Sequence, residues 1–70
     1  MSTFEMHDVV RLKADIKDMV DTLGKTVSLP RGTIGTIVMM FPGQYEVEFC
    51  EGLKTVALMT LPENLLEKAT

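Results

Sequence analysis

The sequence holds one cysteine, one histidine, one tyrosine and no tryptophan in 70 residues. A single cysteine, Cys50, excludes an intrachain disulfide framework and a cysteine-based zinc site. Cations are scarce as well: seven Lys and Arg against ten Asp and Glu leave a net charge of −3. They run from Arg11 to Lys68 without a cluster along the chain. That is a poor footprint for a phosphate backbone, because counterion release requires grouped Lys and Arg, so nucleic acid is not an expected partner. Long apolar runs are missing too. The longest, Ile37 to Phe41, is far too short to cross a bilayer. MSTFEMHD carries acid early and lacks the apolar centre of a secretory leader. No membrane association and a cytoplasmic location are the resulting expectations.

What is present is apolar. Hydrophobic residues make up 46% of the chain, which argues for a folded globule and against disorder. Residues 1–70 are expected to form one domain. A domain this small buries only about 60% of its unfolded surface. Without a disulfide or metal staple, its core must suffice or a partner must help.

The patterning is mostly that of strands. In HDVVRLK, Val10 and Leu12 point one way and Arg11 and Lys13 the other, while Val9 interrupts the alternation. The next segment reads as a short helix over about 15–23. Ile16, Met19, Val20 and Leu23 form one helical stripe, Asp15 suits the N-cap and Gly24 the C′ position. Lys17 and Asp21 would then pair on its wet face. In LPRGTIGTIVMMFPG, Gly32 and Gly35 bracket the start of a long strand, where glycine signals a bulge or bend. Ile37, Met39 and Phe41 fall on one side of that strand, Val38 and Met40 on the other. Both sides are apolar, as in a strand that lines a small barrel or one that offers a face to a partner.

Pro42-Gly43 reads as a type II turn, and the splay of that turn predicts a connection longer than two residues. QYEVEF alternates cleanly, with Tyr45, Val47 and Phe49 inward and Gln44, Glu46 and Glu48 outward. Glu51-Gly52 predicts a tight hairpin. TVALMTL is a strand whose two faces the sequence does not distinguish. Residues 62–64 predict a one-turn helix and 65–68 a short closing strand.

The resulting fold is mainly β: a five-stranded antiparallel barrel, with one short helix between its first two strands. HDVVRLKAD, RGTIGTIV, YEVEF and TVALMTL followed by PENL resemble a family of small uncharacterised bacterial SH3-like proteins. The resemblance implies the SH3-like barrel and implies no activity. It is weakest over residues 15–30.

Candidate chemistry is thin. Cys50 sits between Glu48 and Glu51, the wrong electrostatic setting for a nucleophilic thiolate. His7 and Cys50 cannot be read as a site from their spacing. Glu46, Glu48 and Glu51 read as a solvated acidic face that discourages edge pairing. Asp15, Asp18 and Asp21 lack the spacing of a calcium loop. Gly32 and Gly35 precede a strand, whereas a phosphate-binding loop should open a helix. No catalytic, cofactor-binding or metal-binding residues are therefore assigned. The expected role is a non-enzymatic module that binds a protein partner through Met19, Val38, Met40, Pro42 and Gly43. An accessory subunit of an enzyme complex and a toxin-neutralising protein are the alternatives. The apolar surplus of the strands also raises a homodimer.

Overall fold

The computed structural model describes residues 3–69. Its strands are β1 (Val9–Leu12), β2 (Ile16–Val20), β3 (Thr26–Leu29), β4 (Ile34–Phe41), β5 (Gln44–Glu51), β6 (Lys54–Pro62) and β7 (Leu66–Lys68), with a 3-10 turn at Glu63–Leu65 before the last. The mainly β expectation holds, and the turn falls close to its predicted place. The strands form two antiparallel sheets, one in the order β6-β5-β4-β1-β7 and one of β2 and β3. The larger sheet ends in β6 and β7, which do not pair, so the barrel is not closed.

The predicted helix over 15–23 is absent. Its residues are β2 and the tip of the β2–β3 hairpin. A helix would bury the whole stripe, yet only Ile16 is buried, while Met19, Val20 and Leu23 are exposed. The aspartates explain the failure, because the carboxylates of Asp15 and Asp21 satisfy non-helical backbone donors, and Asp18 takes a left-handed conformation that a helix does not admit. Asp15, read as an N-cap, accepts the N–H of Arg31 at 2.7 Å. Asp18 occupies the left-handed region at φ 50°, inside a register shift between Ile16 and Met19, and its N–H donates to Ser28 Oγ at 3.0 Å. Aspartate tolerates that conformation better than most residues. Asp21, read as a wet-face partner of Lys17, is buried and accepts from Leu23 and Lys25. Gly24 is left-handed as expected, at φ 83°, but in a hairpin loop instead of a helix end.

The core lies on the inner face of the larger sheet. Val10 and Leu12 are buried as their alternation predicts, and so are Tyr45, Val47 and Phe49. Ile37 lies opposite Val47 across the β4–β5 hairpin. Ala57, Met59 and Leu61 settle the facing of β6: they point inward, and Val56 and Leu58 are only partly covered. Phe4 adds a lid, its ring edge-on to Tyr45 at 5.2 Å.

Two local expectations change. A register shift between Ile37 and Met39 flips the phase of β4, so Ile37 is buried while Met39 and Phe41 are exposed. The three do not share a face, because the extra residue of a bulge reverses the alternation after it. Phe41 pairs directly with Gln44, so Pro42-Gly43 is a two-residue loop after all, with Gly43 at φ 73°. The bulge that precedes it adds local twist, which offsets the splay expected of such a turn.

Gly35 has a different reason from the predicted bend. A Cβ there would lie 2.6 Å from Val47 Cγ1 and 2.8 Å from the Phe49 ring. The sheet closes over this position only because no side chain is present.

Candidate interaction surface

The outward residues of β1, β4 and β5 follow from the register. Val9 lies opposite Thr36, which lies opposite Glu48; Arg11 lies opposite Ile34; Met39 lies opposite Glu46. Val9, Ile34, Met39 and Phe41 are all between 43% and 51% exposed. β4 therefore carries an apolar strip along its outer side, extended by Val9 on β1. Such contiguous apolar surface marks interaction sites more often than single exposed side chains do.

Charge is distributed unevenly on the two sides of this strip. On the β5 side, Glu46 Oε1 accepts from Thr60 Oγ1 at 2.8 Å and Glu48 Oε2 from Thr55 Oγ1 at 2.6 Å. These cross-strand bonds hold two carboxylates along the edge of the strip. On the β1 side stands Arg11, whose Nε is 3.2 Å from Glu67 Oε2 across the β1–β7 pair. Both side chains are well exposed, so this pair contributes little to stability. A cleft beside it is lined by Arg11, Lys13, Arg31 and Glu67. The chain thus gathers cations that look scattered in the sequence.

A second structured spot joins the β2–β3 hairpin to the main sheet. Asp21 Oδ2 accepts the N–H of Leu58 at 3.2 Å, and Thr22 donates its N–H to the Leu58 carbonyl at 2.6 Å. The hairpin tip thereby covers part of the β6 edge. Burial pushes the Asp21 pKa up, but the N–H groups of Lys25, Leu58 and Leu23 and the Lys25 charge pull it below its ordinary value. Glu63 is also held low: the Thr3 and Tyr45 hydroxyls and the Thr3 N–H stabilise its carboxylate, against a smaller effect of burial.

Both depressed values fix the sign of an acid response. A carboxylate whose pKa is lower when folded stabilises the fold above its unfolded pKa. It loses that contribution as pH falls through the folded value. The melting temperature should therefore drop on acidification below the ordinary carboxylate range. D21N and E63Q together should flatten that drop and lower stability at neutral pH. Melting curves from neutral to acid pH check this, and an unchanged acid slope in the double variant would contradict it.

The residues predicted to meet a partner do not form one patch with the strip. Met19 is exposed, but on the separate β2–β3 sheet. Val38 is half-buried at the bulge, and Met40 turns inward against the core. Pro42 and Gly43 are exposed in the turn at the end of β4. Val9, Ile34, Met39 and Phe41 were not assigned from sequence. Val9 was the available signal: an apolar residue on the Arg11 face of β1 marks that outer face as partly apolar. His7 and Cys50 are both exposed, His7 in the turn before β1 and Cys50 on the outer side of β5. Among the described residues, no three of the His, Cys, Asp and Glu side chains are grouped to hold a metal ion. Among the described residues, no helix is long and apolar enough to cross a membrane.

The fold and the surface define a small, mainly β domain with an apolar outer strip between flanks of opposite charge. The chain belongs to the family described as a domain of unknown function, DUF4926, whose model matches residues 6–68. No curated protein and no solved structure matches it.

Proposed function

We propose that this chain is a non-enzymatic protein-interaction module of SH3-like type, which binds a protein partner through the outer face of β1 and β4. The exposed strip of Val9, Ile34, Met39 and Phe41 carries this reading. The SH3-like part is supported by the element order. The meander of β4, β5 and β6 follows a hairpin inserted after β1, and a 3-10 turn precedes the short β7 beside β1. The Glu46 and Glu48 carboxylates beside the strip disfavour nucleic acid. The partner surface therefore moves from the predicted residues to the strip, with Pro42 and Gly43 at its end.

The test places a photo-crosslinking amino acid at Phe41 in the cell of origin. The expected result is a discrete protein adduct that disappears when Ile34→Asp is added. Adducts that survive this change would place the contact elsewhere and overturn the assignment.

A further inference from the structure

We propose that the occupant of this face is a second copy of the chain, packed strip against strip about a twofold axis parallel to β4; the proposal rests on reading the face as an interface.

Charge and strand register favour this arrangement. Two sheets that meet face to face in a closed dimer are related by an axis lying in the plane between them. If the axis runs along β4, each β4 lies over its own copy. Ile34, Met39 and Phe41 then pack against the same residues, an isologous apolar seam. The same rotation carries the β1 flank of one copy over the β5 flank of the other. Arg11, with Lys13 beside it, then stands next to the partner copy's acidic flank, within one rung of Glu48. If the axis instead runs across the strands, β5 lies over β5, and the Glu46 and Glu48 ladder meets itself. Like charges directly opposed are destabilising. Between an axis along β4 and one across it, the charges select the first.

Size is consistent with this. A stable interface takes about 800 Å² from each partner. On a molecule with 4586 Å² of accessible surface, that is a single face. The strip also holds four of the large apolar side chains that the core leaves exposed, Val9, Ile34, Met39 and Phe41, so pairing would remove from water what folding alone does not. Thr36, opposite Val9 and Glu48, lies centrally on the seam and its small side chain permits close approach.

Sedimentation equilibrium of the full chain, from micromolar to millimolar concentration, tests the proposal. The wild type should move from the monomer mass of 7.8 kDa to twice that mass as concentration rises. M39D should remain monomeric. R11E and E48R alone should each weaken the dimer about tenfold, as expected for a close charge pair. The double variant R11E/E48R should restore it, because an isologous dimer exchanges both partners at once. Melting curves of each variant verify folding, and all substituted side chains point outward. A wild type that stays monomeric at millimolar concentration overturns the proposal, as does a dimer indifferent to M39D or a double variant no better than the singles. If the wild type is monomeric while Phe41 still crosslinks to another protein in the cell, self-association fails and the interaction module stands.

Discussion

Gly35→Val will leave the domain largely unfolded at room temperature. The Cβ alone would sit 2.6 Å from Val47 Cγ1 and 2.8 Å from two atoms of the Phe49 ring. Neither neighbour can yield easily, because Val47 and Phe49 are 0% and 1% exposed. Overpacking a tight core costs roughly 1–3 kcal/mol and occasionally more. Here the clash falls on two buried side chains at once, and valine adds two methyl groups beyond the Cβ. The cost should reach or exceed the top of that range. A small domain has little stability to lose. Thermal melting of the isolated variant measures it. If Gly35 served to let a ligand approach, the variant would melt like the parent and lose only binding.

Phe49→Ala should produce a loss of similar size by the opposite route. Phe49 lies opposite Ala57 in the β5–β6 pair, and its ring covers Gly35. Both of these neighbours are small, so neither can fill the vacated space. Truncating a buried phenylalanine costs about 3–5 kcal/mol. The two sites are also coupled, since residues in contact are not additive. Phe49→Leu combined with Gly35→Ala should cost less than the sum of the separate changes, because the smaller side chain makes room for the new methyl. Denaturant unfolding of the four proteins in that cycle gives the coupling. Strict additivity would mean that the ring does not rest on Gly35.

Strands whose alternation contrasts apolar with charged residues were legible from the sequence. YEVEF names its own inner face, because Glu46 and Glu48 cannot share a core with Tyr45, Val47 and Phe49. TVALMTL has no such contrast. Val56 falls in a register shift between the Phe49 and Cys50 pairs, and Leu58 is partly covered on the outer side, so apolar residues occur in both phases. The segment over 15–23 misled for another reason. Its apolar spacing suits a helix, but spacing does not reveal where carboxylates find donors. Asp15 reaches Arg31, and Asp21 reaches Leu58, both far along the chain. The apolar outer strip, the proposed interaction face, was hidden by the bulge in β4. One unpaired residue near Val38 sends Met39 and Phe41 outward and Met40 inward, and nothing in IVMMF marks its position.

The hairpin tip that covers β6 also has a consequence for how this chain can go wrong. The residues from Thr55 to Leu61 contain no charge and no proline, the composition of segments that stack into fibrils once their backbone is free. Within the fold, one flank of that segment is paired to β5, and Asp21 and Thr22 occupy the amide and carbonyl of Leu58 on the other. The hairpin thus acts as a built-in chaperone for the strand most prone to recruit copies of itself. Of these two bonds, the one from Leu58 N–H to Asp21 is stronger with the carboxylate ionised, whereas the one from Thr22 N–H is indifferent to its charge. The bonds to that carboxylate hold its pKa below the ordinary value, so the guard keeps its charge until the acid range in which Glu63 also loses its own and the fold itself weakens.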